Sequence, residues 1–188
     1  MKRSNTETHK FDYLKALHII FFATMMISCL LNNSLAQAAS VIPSDYRLAT
    51  AGDKFSDTVQ FAAVFKFRPP RRLRARRMEL VVGTIATSQE SRLFVSLGPV
   101  WQLPIANRSM FFELGISPTV IGGSSFNQRD MGGNFHFTSF AAVGARFGKR
   151  DALSLSLRVQ HMSNGGLSST NPGMDMIGIT AGFNSLTR

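Results

Sequence analysis

Cysteine is almost absent from this chain of 188 residues: the one copy, Cys29, lies within the first forty positions. A mature chain that starts beyond it has no disulfide, no thiolate metal ligand and no cysteine nucleophile. Acidic side chains are also scarce, 11 against 21 Lys and Arg, so the chain carries a formal net charge of +10. Much of that excess is local. Lys66, Arg68, Arg71, Arg72, Arg74, Arg76 and Arg77 crowd into KFRPPRRLRARR. The run has no interleaved aromatic residues, which argues against nucleic-acid binding, and leaves contact with anionic lipid headgroups or a solvated turn. Beyond residue 38 there is no apolar run long enough for a spanning helix and no sustained helical stripe.

The early apolar run ALHIIFFATMMISCLL follows a polar, basic start and precedes NNSLAQA, where Ala36 and Ala38 fit the small-residue positions of a cleavage site. Residues 1–38 therefore read as a secretory signal peptide, and residues 39–188 as one exported domain.

What recurs in that domain is a period of two. In LSLSLRVQHMS, Leu153, Leu155, Leu157 and Val159 alternate with Ser154, Ser156, Arg158 and Gln160. TVQFAAVFKF, RLFVSLGPVWQL and MFFELGISP alternate in the same way; MELVVGTIAT, FHFTSFAAVGARF and MDMIGITAGF follow less strictly, and a shorter candidate surrounds residues 46–51. That makes about eight strands, the smallest number common among outer-membrane barrels. A soluble barrel alternates too, with its apolar face inward rather than toward lipid. Small and polar residues such as Gly115, Ser117, Thr138 and Gly144 oppose the long apolar faces. The last strand ends in Met176, Gly178, Ala181 and Phe183, spaced much like the C-terminal assembly signal of outer-membrane proteins. Together they favour an all-β, eight-stranded antiparallel transmembrane barrel in the outer membrane. With both termini in the periplasm, the strand over residues 152–163 ends at the outer surface, residues 122–134 form an outer loop, and the basic run is a periplasmic turn.

His161 and Ser163 share the apolar phase of Leu153 to Val159, and Asp175 shares that of Ile177, Ile179, Ala181 and Phe183. All three thus emerge on the lipid side at the outer rim. An imidazole can activate a serine hydroxyl and is itself oriented by an acid. The competing reading is an ordinary interfacial pair on a structural or binding barrel. His136 falls on the interior face, so one histidine and one acid remain outside, too few for a usual zinc site.

The motif resembles that of the outer-membrane lipid A 3-O-deacylases: histidine and serine two apart, asparagine next, and an acid fourteen residues after the histidine, here His161, Ser163, Asn164 and Asp175. Asn171 matches a loop asparagine of that family. The resemblance is sharpest over residues 151–183. It implies hydrolysis of the acyl ester at position 3 of lipid A in lipopolysaccharide, with Ser163 as nucleophile, His161 as base and Asp175 orienting it. Asn164, Gly165, Gly166 and Asn171 become candidates for holding the oxyanion. No cofactor or metal is implied; the partners are lipopolysaccharide and outer-membrane lipids, and a homodimer is compatible with the reading. The family's usual acid is glutamate, so Asp175 is one methylene short. An outer-membrane phospholipase-type esterase would use the same serine chemistry.

Overall fold

The computed structural model describes residues 43, 45–53, 58–67, 77–105, 109–126 and 128–184. The expected signal peptide and the centre of the basic run lie outside the described residues.

The strands, in chain order, are β1 (Asp45–Asp53), β2 (Val59–Phe67), β3 (Arg77–Ala86), β4 (Ser91–Ile105), β5 (Met110–Ile121), β6 (Ser125–Phe126), β7 (Arg129–Asp130), β8 (Phe135–Phe147), β9 (Leu153–Ser163) and β10 (Met174–Asn184). Eight of them close into one barrel, β1-β10-β9-β8-β5-β4-β3-β2, while β6 and β7 pair in a small hairpin between β5 and β8. Each barrel strand is antiparallel to its neighbours, and β1 closes the ring against β10 with Tyr46 opposite Phe183. The shortest barrel strands have 9 residues, the length that a tilted strand of about 9–11 residues needs to cross a hydrocarbon core.

The apolar phase faces out. Leu93, Trp101, Leu114, Leu157, Val159 and Ile179 are all exposed, whereas Arg47, Lys66, Glu79 and Glu113 are buried. A soluble barrel would be destabilised by this arrangement; against lipid it satisfies both faces. The fold is therefore an outer-membrane-type barrel with a filled interior.

That filling has two halves. Near the β9–β10 connection the lumen is apolar: Val64, Ile85, Phe94, Ile121, Met162 and Met176 form one cluster, roofed by Phe126 and Met131 from the loop that carries β6 and β7. Toward the other end it is ionic. Glu113 accepts hydrogen bonds from Lys66 Nζ at 2.7 Å and from Arg47 at 3.2 and 3.3 Å. Asp45 accepts from Arg47 Nη2 at 2.6 Å, and Glu79 from Arg158 Nη1 at 2.8 Å. Three carboxylates thus meet three cations, so the buried charge balances, as burial requires. The guanidiniums also stack on rings: Arg158 lies 3.4 Å from the Phe140 centroid and Arg146 4.8 Å from that of Phe111. Gly144 makes room for the latter, since a Cβ there would sit 2.5 Å from Phe111 Cζ.

One expectation needs correction. Lys66, grouped by sequence with the basic run, is a barrel residue: it falls in phase with the inward Gln60, Ala62 and Val64 and binds Glu113. The chain leaves the strand only after Phe67, so a lipid-contacting or solvated patch begins beyond Lys66.

Candidate active site

The β9–β10 ladder positions the first pair. His161 stands directly opposite Asp175, as Met162 does opposite Met174, and both side chains are half exposed on the outer wall. His161 Nδ1 lies 2.8 Å from Asp175 Oδ1. A carboxylate can only accept, so Nδ1 carries the proton and Nε2 presents its lone pair. The shorter acid therefore reaches the imidazole, because direct cross-strand pairing places the two Cβ atoms about 5 Å apart.

Ser163 is the last residue of β9, partly exposed and on the His161 side of the strand. Two residues of strand separate the pair by about 6–7 Å at Cα. Among the described residues the Ser163 hydroxyl has no hydrogen-bond partner, His161 included. The structure thus brings Ser163, His161 and Asp175 to one rim and joins the last two directly.

The loop after β9 is braced by Asn164, whose side chain is fully buried. Its Nδ2 donates to Thr170 O at 2.7 Å and reaches Gly132 O at 3.5 Å, and its Oδ1 accepts from Gly166 N–H at 3.0 Å. Its own N–H donates to Asn171 Oδ1 at 3.1 Å. Of the four oxyanion candidates, then, Asn164 and Gly166 spend their N–H groups inside the loop. Among the described residues, the Gly165 N–H and the Asn171 Nδ2 donate to no protein group. Gly165 and Gly166 both have positive φ, 65° and 83°.

Two residues near the pair were not singled out in the sequence. Gly173, with φ +64°, brings its backbone against the imidazole: a Cβ there would meet His161 Cε1 at 3.1 Å and Nε2 at 3.8 Å. Ser139 on β8 is the other cross-strand neighbour of His161. It is a lone hydroxyl in the apolar phase of Phe135, Phe137, Ala141 and Val143, a signal that the alternation does carry. Both Ser139 and the pair line an external trough of about 990 Å³ that runs to Leu114 and Trp101. His136 points inward as expected, its Nε2 bonding Gly133 O at 2.9 Å. Among the described residues no group of His, Cys, Asp and Glu could hold a metal.

Residues 50–184 match the sequence model of the family described as Lipid A 3-O-deacylase (PagL). The chain is also similar to the Lipid A deacylase PagL of Bordetella bronchiseptica, with 32% identity over 92 residues, 45% of this chain and 51% of that protein. It thus spans about half the length of the curated relative it matches. The crystal structure of the outer membrane enzyme PagL is similar in fold, with a TM-score of 0.58 at 20% identity, covering 74% of this chain and 98% of that one.

Proposed function

The chain belongs to the Lipid A 3-O-deacylase (PagL) family, and from that premise we propose that it is a serine esterase of the outer membrane that removes the acyl chain at position 3 of lipid A. The observation that carries the reading is the His161–Asp175 contact of 2.8 Å on the lipid-facing wall, with Ser163 on the same face. Lipid A stands beside a barrel, not inside it. A polar triad on an apolar wall is where its ester would meet a nucleophile.

In this mechanism Ser163 Oγ attacks the ester carbonyl carbon while His161 Nε2 takes the hydroxyl proton. The Nδ1–H bond to Asp175 stabilises the imidazolium. A hydroxyl–imidazole contact left long in the free enzyme tightens around bound substrate. The Gly165 N–H and Asn171 Nδ2 supply the oxyanion donors, and Asn164 holds the loop that aims them. Collapse breaks the bond to the sugar oxygen, which leaves with the proton from His161. Water, deprotonated by His161, then attacks the acyl-serine, and the fatty acid departs as Ser163 regains its proton. On this reading the triad faces the outer leaflet.

Mass spectrometry of lipid A from cells carrying the wild type, Ser163→Ala or His161→Ala, each verified as a folded barrel, tests the proposal. Loss of one acyl chain from position 3 with the wild type alone is the expected result. Unchanged lipid A in all three, repeated with purified protein and lipopolysaccharide in detergent, would refute it.

A further inference from the structure

The polar row on the outer wall does not stop at His161. Ser139 stands opposite it on β8 as Asp175 does on β10, so adjacent side chains in the row are about 5 Å apart at Cβ. Ser139 is exposed, and among the described residues no group hydrogen-bonds its hydroxyl. Its outward neighbours are apolar: Phe137 and Ala141 along β8, and Ile116 across on β5. An unmatched hydroxyl on a lipid-facing wall costs free energy unless something brought to it supplies a hydrogen bond.

The trough shows what would be brought. Its floor is small at Ser139 and Ala141, and it rises at Val159 on one side and at Leu114 and Trp101 on the other. Such a surface seats one apolar chain extending from the His161–Asp175 pair across β8. Apart from that pair, Ser139 is the one polar side chain that faces outward in it. It stands at the end where an ester carbonyl attacked by Ser163 must lie. A hydroxyl two carbons from that carbonyl is displaced by only about 2.5 Å along the chain, given bonds of about 1.5 Å. That offset, toward β8, is within reach of Ser139.

Building on the deacylase reading, we infer that Ser139 is a specificity residue that hydrogen-bonds a hydroxyl on the third carbon of the bound acyl chain, so that 3-hydroxyacyl esters are preferred to unsubstituted ones. A site built around such a bond leaves its own hydroxyl unmatched when the analogue binds, and so discriminates against it.

The test uses full-length mature protein in detergent micelles with two synthetic glucosamine phosphates, acylated at the 3-oxygen with either tetradecanoate or 3-hydroxytetradecanoate. The quantity read is the ratio of kcat/KM between the two. The wild type is expected to favour the hydroxylated ester, Ser139→Ala to lower that ratio roughly three- to tenfold, the range for one hydrogen bond, and Ser139→Thr to restore it. An equal ratio in wild type and Ser139→Ala overturns the inference and leaves the deacylase reading standing. So does a Ser139→Ala variant that slows both esters alike, since the hydroxyl would then serve His161 or the sugar. A wild type that cleaves neither ester overturns the deacylase reading and this inference with it.

Discussion

Gly173→Ala tests whether the position of the imidazole, rather than its mere presence, sets the rate. Gly173 precedes β10 with φ +64°, and the added methyl would meet His161 Cε1 at 3.1 Å, against about 3.5–4.0 Å for comfortable carbon contact. The ring must retreat by roughly 0.4 Å or more, and it is tethered: Nδ1 is held at 2.8 Å by Asp175. Retreat either stretches that bond or swings Nε2 off the line to Ser163. Misplacement on the ångström scale costs up to about a hundredfold, so a fall of tenfold to a hundredfold in kcat is expected. The methyl also destabilises the left-handed backbone by about 1–2 kcal/mol, and a control must separate the two effects. Gly148→Ala supplies it: φ is +80°, the nearest atom is Leu153 Cδ1 at 3.8 Å, and the residue lies at the opposite end of the barrel. Both variants should lose similar stability in urea titrations; only Gly173→Ala should lose fatty-acid release from lipopolysaccharide, followed by mass spectrometry. A Gly173→Ala enzyme within twofold of wild type, or a Gly148→Ala enzyme equally slowed, would refute the reasoning.

Asp175→Asn keeps the shape of the acid but not its charge, and should reduce kcat by about 10²–10⁴-fold, whereas Asp175→Glu should stay within about tenfold because the cross-strand pairing tolerates one methylene. Glu113→Ala removes the carboxylate shared by Arg47 and Lys66. Asp45 and Glu79 still pair with those cations, so the expected loss is about 3 kcal/mol, the low end for a broken buried pair, read from urea midpoints; a loss below 1 kcal/mol would show that the network relaxes around the gap. Asn164→Ala should accelerate hydrogen exchange at the Gly166 and Leu167 amides, since the side chain caps one and its backbone accepts from the other; unchanged exchange would mean that the loop does not rely on this brace.

Period-two alternation made the eight barrel strands legible, and the phase of each side chain with them. It did not say which face lipid touches, because alternation is the same in a soluble barrel; that follows from Leu93 and Ile179 being exposed while Glu79 and Arg47 are not. His161, Ser163 and Asp175 were legible as one face, but not as contacts. Contact depends on register, and the β9–β10 register, set by the intervening loop, places Asp175 opposite His161. Ser139 was hidden for the same reason: β8 meets β9 through a connection whose length does not declare which residues pair. Lys66 was misread because a run of charges masks the point where a strand stops and a turn starts. The β6–β7 hairpin, two residues per strand, is too short for any periodicity to register.

The filled lumen decides how substrate must arrive. Apolar side chains occupy one half and a balanced ionic network the other, so an acyl chain has no path through the barrel, and the trough at the pair opens sideways. Lipid A already lies in the plane of that opening, and lateral diffusion alone brings the ester to it. The rigid and adjustable parts of the site divide accordingly. His161 and Asp175 are fixed by ladder bonds on adjacent strands, while Ser163 stands where β9 ends and the oxyanion donors lie on the loop that Asn164 ties back to Gly132. Hydrocarbon packed around a half-exposed ion pair lowers the local dielectric, so the same Nδ1–Asp175 bond stabilises the imidazolium more in the membrane than it would in water. The wall therefore does more than hold the triad: by covering itself with lipid, it strengthens the electrostatics on which the triad depends.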